Sequence, residues 1–209
     1  MIRVLVADDH PIVREGLRQI IAETADIVVA DEASDGQEVL DKVGRNPYDV
    51  LLLDISMPGR HGIDALKEMR SLRPRLPVLV LSMYPEEQYG VRALKAGASG
   101  YLVKETSPDE LVVAIRKVSQ GGKYISSALA ERLASRLGMD ASKEAHEALS
   151  DREYQVMQLI AAGKTVTEIA RSMVLSVKTV STYRRRVLEK MQMKTNAELT
   201  HYAIDNGLA

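Results

Sequence analysis

Short apolar runs alternate with longer amphipathic stretches from residue 1 to about residue 120. In the first amphipathic stretch, apolar residues recur at the 3.6-residue period of a helix with one buried face, namely Ile12, Val13, Leu17, Ile20 and Ile21. The pattern predicts strands at 2–7, 27–33, 50–54, 77–82 and 100–103, and helices near 11–23, 35–45, 62–72, 86–96 and 108–120. Five strand–helix units in succession favour an α/β fold, a doubly wound domain with a five-stranded parallel sheet.

The pattern changes after residue 121. Gly121 and Gly122 punctuate the end of the first domain, and a short amphipathic segment precedes a stretch with few large apolar side chains. We therefore predict a domain over 1–121, a linker with a short helix over 122–148, and a second domain over 149–209.

The second domain is predicted to be all-α. Ser150 and Glu153 have the spacing of a capping box, which marks the start of a helix. Thr167 and Ser176 are candidate caps of two further helices joined by a short turn, as in a helix-turn-helix. The predicted helices lie near 151–162, 167–173, 177–191 and 197–206.

Composition narrows the class of protein. The 209 residues include no cysteine, which excludes a disulfide framework and a thiolate metal site. The sequence shows neither a signal-peptide pattern nor an apolar run of bilayer-spanning length. We therefore expect a cytoplasmic protein that does not meet a membrane.

Charge is distributed unevenly along the chain. Residues 1–149 carry 19 Lys and Arg against 23 Asp and Glu, whereas residues 150–209 carry 9 against 6. An acidic half joined to a basic half suggests that only the second half meets a polyanion such as DNA.

Candidate chemistry gathers where predicted strands end. Asp8 and Asp9 follow the first strand, Asp54 ends the third, Ser82 ends the fourth and Lys104 follows the fifth. In an open parallel sheet, ligands bind outside the carboxyl ends of the strands. Carboxylates there suit a hard cation such as Mg²⁺, and a lysine suits an anion. A single Asp in such a place is often only a cap, but the set predicts a site that receives a phosphoryl group on Asp54.

The third helix of the second domain carries a polar face suited to DNA. A run of three arginines adds charge near the middle of the helix, and the members of the face are Lys178, Ser181, Thr182, Arg185 and Glu189. Such a helix can enter the major groove, although a charged face alone is more often just solvated. The predicted DNA-binding residues are Lys178, Thr179, Ser181, Thr182, Arg184, Arg185 and Arg186.

Residues 1–120 resemble the receiver domains of two-component response regulators. The resemblance rests on the order and spacing of Asp8-Asp9, Asp54, Met57-Pro58, Ser82 and Lys104. It implies that a sensor histidine kinase phosphorylates Asp54 from its own phosphohistidine.

The same resemblance implies roles for the neighbouring residues. Asp9, Asp54 and the backbone carbonyl of Ser56 would ligate Mg²⁺, with Asp8 nearby through water. Ser82 and Lys104 would contact the phosphoryl oxygens, and Tyr101 matches the aromatic switch position of the family.

His10 follows the acidic pair directly. It either binds metal, is phosphorylated, or helps to cap the first helix, and we favour capping.

Residues 149–206 resemble the LuxR-type helix-turn-helix. The resemblance rests on the stretches 149–153, 168–170 and 176–180. A receiver joined to this domain is the architecture of NarL/FixJ-type response regulators. Ser181 and Tyr183 depart from the basic residue and the histidine that are frequent there, so relatives do not predict the bound sequence. The last helix matches the family's dimerisation helix, but its periodicity also suits covering the domain's own core.

We therefore expect a transcription factor, not an enzyme, whose phosphorylation controls dimerisation and promoter binding. A homodimer would bind two half-sites about one helical turn apart and act with RNA polymerase. The rival functions are a constitutive DNA-binding regulator whose receiver is not phosphorylated and an aspartyl-phosphate phosphatase. Ser56 argues against the phosphatase, which in its familiar form needs an acid two residues after the nucleophile.

Overall fold

The computed structural model describes residues 1–57, 62–138 and 144–208, except for the side chains of residues 132 and 135–138. Pro58 of the predicted turn and residues 139–143 of the predicted linker lie outside the described residues. The chain divides into two compact units, Met1–Leu133 and Ala134–Ala209.

The first unit is built on a parallel sheet of five strands. Their order across the sheet is β2-β1-β3-β4-β5, and every described pairing is parallel, which confirms the predicted fold class. Because the strand order reverses between β1 and β3, a crevice forms at the carboxyl ends of these two strands. The strands are β1 (Ile2–Ala7), β2 (Ile27–Ala33), β3 (Val50–Leu53), β4 (Val78–Ser82) and β5 (Gly100–Val103).

Helices connect the strands, and both faces of the sheet are buried. One cluster joins β1, β3, β4 and β5 to the first and fifth helices through side chains such as Val6, Leu52 and Ile115. Leu51 and Leu53, which point to the opposite face, are also fully buried. The helices are α1 (Pro11–Ala22), α2 (Gly36–Arg45), α3 (Gly62–Leu72), α4 (Glu86–Lys95) and α5 (Pro108–Ser119).

The segment after α5 packs on this first unit. The backbone N–H of Tyr124 donates to the carbonyl of Ser99 at 2.9 Å, and Tyr124 forms a parallel bridge with Gly100. A Cβ on Gly100 would lie 2.5 Å from the Tyr124 carbonyl oxygen, so this close approach requires glycine. The next helix, α6 (Ser127–Gly138), buries Leu129 against Gly90 of α4.

The second unit is helical. A 3₁₀ turn at Ala145–Ala148 precedes four helices, of which the second and third are joined by a short turn. Leu199 and Ala203 of the last helix are buried, while Ile204 is 63% exposed. One face of this helix therefore covers the domain's own core and another faces outward. The helices are α7 (Asp151–Ala161), α8 (Val166–Ser172), α9 (Val177–Lys190) and α10 (Asn196–Asp205).

Capping residues fix where these helices begin. Ser150 and Glu153 form the predicted capping box of α7, and Ser176 caps α9.

No described helix has the length and apolar character needed to cross a membrane.

The start of α8 differs from its prediction. The predicted cap at Thr167 is wrong, because Thr165 caps α8 and exchanges hydrogen bonds with Glu168. Thr165 has the extended backbone that a cap requires and a Glu three residues later, whereas Thr167 lies within the first helical turn.

Candidate functional site

The predicted acidic residues meet at the carboxyl ends of β1 and β3. The backbone N–H of Asp54 donates to the carbonyl of Ala7 at 2.8 Å, so the two strand ends lie side by side. Carboxylate oxygens of Asp8, Asp9 and Asp54, together with a ring nitrogen of His10, all lie within 4.8 Å of one another. Asp8 and Asp54 are buried, and Asp9 is partly exposed. This cluster has the donor chemistry to hold a divalent cation.

Lys104 joins two of these carboxylates. Its Nζ lies 2.6 Å from Oδ2 of Asp8 and 2.7 Å from Oδ2 of Asp54. The Lys104 side chain is only 6% exposed, so this is a buried ion pair. Burial lowers the pKa of Lys104, but the hydrogen bonds to Asp54 and Asp8 outweigh it and hold the pKa above its ordinary value.

Asp54 is held through both of its oxygens. Oδ1 accepts a hydrogen bond from the backbone N–H of Ser56 at 2.8 Å, and Oδ2 accepts the bond from Lys104. Burial raises the pKa of Asp54, and these two hydrogen bonds lower it by less, so the pKa stands above its usual range. A Cβ on Gly62 would lie 2.7 Å from the Asp54 carbonyl oxygen, so only glycine lets the start of α3 approach this closely.

Ser82 and Tyr101 are linked through the backbone of Tyr84. The Ser82 hydroxyl oxygen accepts a hydrogen bond from the Tyr84 N–H at 3.1 Å, and the Tyr101 hydroxyl donates to the Tyr84 carbonyl at 2.7 Å. Ser82 and Tyr101 are both buried. Burial and, to a smaller extent, the charge of Asp54 raise the pKa of Tyr84.

Arg14 supports the acidic loop, and the sequence reasoning missed it. Its Nη1 donates to the Asp8 carbonyl at 2.7 Å, and its Nε donates to Glu32 of β2 at 2.8 Å. The only sequence signal was an arginine on the first turns of α1 beside an acidic strand end.

In the second unit, α9 presents most of its predicted DNA-binding side chains outward. Val180 and Val187, on the opposite side, are fully buried, as the apolar periodicity predicts. The polar face of α9 is therefore available to a ligand of this unit. The exposed members are Lys178, Ser181, Arg185 and Arg186, and the partly exposed members are Thr179, Thr182 and Arg184.

Several of the predicted side chains have partners within their own unit. The Thr179 hydroxyl shares a hydrogen bond with that of Ser176 at 2.8 Å, and Nε of Arg185 lies 3.9 Å from Glu189.

Nε of Arg184 donates to the side-chain oxygen of Asn196 at 2.6 Å, which ties α9 to the start of α10. The Thr182 hydroxyl donates to the Lys178 carbonyl at 3.0 Å.

Both units match known protein families. The response regulator receiver domain matches residues 4–116, and the luxR family of bacterial regulatory proteins matches residues 147–203. The response regulator UvrY of Escherichia coli (strain K12) is 38% identical over 209 residues, which cover 100% of this chain and 96% of UvrY.

Solved structures of RcsB are also similar. RcsB from Salmonella enterica serovar Typhimurium, bound to promoter rprA in the presence of the phosphomimetic BeF3-, is 27% identical with a TM-score of 0.66, covering 96% of this chain and 97% of that one. A structure of two RcsB dimers bound to two parallel DNAs is 27% identical with a TM-score of 0.60, covering 97% and 98%. The chain therefore belongs to the response regulator transcription factors that join a receiver domain to a LuxR-type helix-turn-helix domain.

Proposed function

We propose that Asp54 accepts a phosphoryl group from the phosphohistidine of a sensor histidine kinase, and that this controls dimerisation and promoter binding. The observation that carries the proposal is the setting of Asp54. It follows the central strand, lies beside Asp8 and Asp9, and is bonded to a buried lysine.

The chemical step needs a nucleophile and compensation of charge. A carboxylate oxygen of Asp54 attacks phosphorus, the phosphorus–nitrogen bond to the kinase histidine breaks, and the leaving imidazole takes up a proton. Phosphoryl transfer depends mainly on positioning and electrostatic stabilisation. The Ser56 N–H and Lys104 orient the carboxylate, and Lys104 remains as a positive charge for the transferred oxygens.

Mg²⁺ fits the acidic cluster. Within the described residues, Oδ1 of Asp9 is buried but accepts no hydrogen bond, which is the state expected of an oxygen that ligates a cation. We assign Asp9, Asp54 and the Ser56 carbonyl as ligands, with Asp8 acting through water. A bound Mg²⁺ would neutralise charge on the phosphoryl oxygens.

The response to phosphorylation runs through Ser82 and Tyr101. When the Ser82 hydroxyl turns to the phosphoryl group, it gives up the hydrogen bond from the Tyr84 N–H. The same Tyr84 backbone holds Tyr101, so the two side chains respond together. Tyr84 lies just before α4, whose position can therefore differ between the two states.

The output of the chain is control of transcription. Phosphate contacts fix a protein on DNA, whereas contacts to base edges read the sequence. RcsB, solved on a promoter and as dimers on DNA, supports a homodimer of this chain on promoter DNA. We place this role in the cytoplasm, as the DNA-binding family suggests. RNA polymerase is the further partner that transcriptional control requires. We assign contacts with DNA phosphates to Lys178, Arg185 and Arg186. Contacts with base edges are assigned to Thr179, Ser181 and Thr182. Arg184 would contact DNA from its position beside α10.

The test is phosphorylation of the full chain by acetyl phosphate with Mg²⁺, followed by intact mass. Wild type should gain one phosphate, and Asp54→Asn should gain none. Asp109→Asn is the matched control, because Asp109 is an exposed carboxylate in the first turn of α5. Mg²⁺-dependent phosphorylation of Asp54→Asn at the wild-type level would refute the assignment.

A further inference from the structure

Arg14 ties the acidic loop to the neighbouring strand β2. From the first turn of α1, its Nη1 donates to the Asp8 carbonyl at 2.7 Å, and its Nε donates to the carboxylate of Glu32 at 2.8 Å. The Arg14 side chain is only 18% exposed. Because the guanidinium is planar and rigid, the directions of these two N–H groups are fixed relative to each other. The bond to Glu32 therefore sets the direction from which Arg14 holds the Asp8 carbonyl.

The carbonyl that Arg14 binds belongs to the peptide group that leads into Asp9. A peptide group is planar, so the Asp8 carbonyl lies in one plane with the backbone nitrogen and Cα of Asp9. Holding the carbonyl oxygen restricts the orientation of this plane. It therefore also restricts the direction in which the Asp9 side chain leaves the backbone.

The two carboxylates of the acidic pair differ in their partners. Oδ2 of Asp8 lies 2.6 Å from Nζ of Lys104, and Oδ1 accepts a hydrogen bond from the backbone N–H of His10 at 2.9 Å and lies 3.2 Å from Nδ1 of its ring. The His10 side chain makes no capping hydrogen bond to the described residues of α1, so its favoured capping role is wrong. Oδ1 of Asp9 is buried without a hydrogen bond among the described residues. The local contacts therefore hold Asp8 in place and leave an oxygen of Asp9 for a cation.

We propose that Arg14 is a positioning residue for Mg²⁺. Anchored by Glu32, it holds the Asp8 carbonyl and thereby directs the Asp9 carboxylate at the cation. The inference rests on the proposed cation site and adds to it two residues that are not ligands.

Positioning and charge predict opposite effects when Arg14 is replaced. A guanidinium repels a nearby cation, so by charge alone its removal would tighten Mg²⁺ binding. Loss of an outer group that orients a metal ligand instead weakens binding, commonly by about 10–100-fold. Arg14→Gln should therefore weaken Mg²⁺ binding by about 10-fold, although it removes a positive charge.

The test is calorimetric titration of the full chain with Mg²⁺, with circular dichroism to check that each variant folds. Arg18→Gln is the matched control. It removes the same charge one turn further along α1, where the exposed Arg18 pairs with Glu15. Arg18→Gln should bind Mg²⁺ as wild type does.

Glu32 offers a second pair of variants with equal charge. Glu32→Ala and Glu32→Gln both remove the carboxylate, but Gln keeps an oxygen that can accept the hydrogen bond from Nε of Arg14. Glu32→Gln should therefore bind Mg²⁺ more tightly than Glu32→Ala. In phosphorylation by acetyl phosphate, the Mg²⁺ concentration that gives the half-maximal rate should rise in the same order. The maximal rate should stay close to that of wild type, because Arg14 and Glu32 do not contact Asp54 in the positioning role.

The possible outcomes separate this inference from the proposed function. If Arg14→Gln binds Mg²⁺ as tightly as wild type, or more tightly, the positioning role is refuted and the cation site stands. If Arg14→Gln does not fold, the Glu32 pair decides, because equal Mg²⁺ affinities of Glu32→Ala and Glu32→Gln would also overturn the role. If wild type binds no Mg²⁺, the proposed cation site fails together with the inference.

Discussion

Replacing Lys104 by methionine removes a buried charge and keeps most of the side chain's volume. Nζ of Lys104 bonds to Asp8 at 2.6 Å and to Asp54 at 2.7 Å, and both carboxylates are almost fully buried. Removing one partner of a buried ion pair costs about 3–5 kcal/mol, because the remaining charge is left uncompensated. We expect Lys104→Met to lower the free energy of unfolding of the receiver by about this amount at neutral pH.

The free energy of unfolding that Lys104→Met loses should depend on pH, and the pKa of Asp54 gives the direction of this dependence. Burial raises the pKa of Asp54 above its ordinary value of 3.8, so protonation of Asp54 favours the folded state. That contribution is fully present below the unfolded pKa and is lost as pH rises through the folded pKa. Without Lys104, the folded pKa of Asp54 rises further. The deficit of Lys104→Met should therefore be largest near neutral pH and shrink as pH falls towards 3.8.

The assay is hydrogen exchange with mass spectrometry in a urea series, read from peptides of β1 and β3, which report the receiver alone. Lys123→Met is the control, because Nζ of Lys123 bonds to the neutral carbonyl of Ala98 at 2.7 Å. Its loss should cost about 1.5–3 kcal/mol, because the donor is charged but no buried charge is left behind. Equal losses in the two variants, or a Lys104→Met deficit that does not change with pH, would refute the electrostatic reasoning.

Other substitutions test the phosphoryl site, the DNA-binding helix and the packing of the receiver. Tyr84→Ala should shorten the lifetime of the phosphorylated receiver, measured by loss of label, and an unchanged lifetime would show that this ring does not shield the phosphoryl group. Arg185→Ala should reduce the salt slope of DNA binding by about one unit, whereas Thr182→Ala should leave the slope unchanged and relax preference at one base pair. Identical effects of the two variants on specific and scrambled DNA would contradict this division. Gly16→Ala should stabilise the receiver by about 0.4–1 kcal/mol in urea unfolding, since a Cβ there meets nothing within 4 Å. Gly90→Ala should stabilise the receiver less than Gly16→Ala, because its Cβ would lie 3.0 Å from the buried Leu129 of α6. Equal stabilisation by the two substitutions would show that α6 moves away from this Cβ without a cost in free energy.

The sheet was predictable because its strands follow a simple pattern. β3 and β4 are buried at every position, and their sequences are almost wholly apolar. Once five parallel strands are predicted, the residues that end them must meet at one edge. The convergence of Asp8, Asp54 and Lys104 therefore follows from chain order, and the structure brings these three together.

Thr165 and Thr167 are both capable caps, but Glu168 gives Thr165 the spacing of a capping box, so the start of α8 was predictable from the sequence and was missed. The coupling of Ser82 to Tyr101, by contrast, was not predictable. The link from Ser82 to Tyr101 runs through the backbone of Tyr84, so no pattern of side chains indicates it.

His10 shows most directly where sequence reasoning stops. A histidine between an acidic pair and a helix can turn towards either, and both choices are compatible with the same residues in the same order. Pro11 needs no acceptor at the first helical position, so the helix can begin without help from the His10 ring. The structure places His10 at the N-cap position without a side-chain capping bond to the described helix, and its Nδ1 instead forms a hydrogen bond with Oδ1 of Asp8 at 3.2 Å. The direction of this ring is thus fixed by a contact that spacing alone does not reveal.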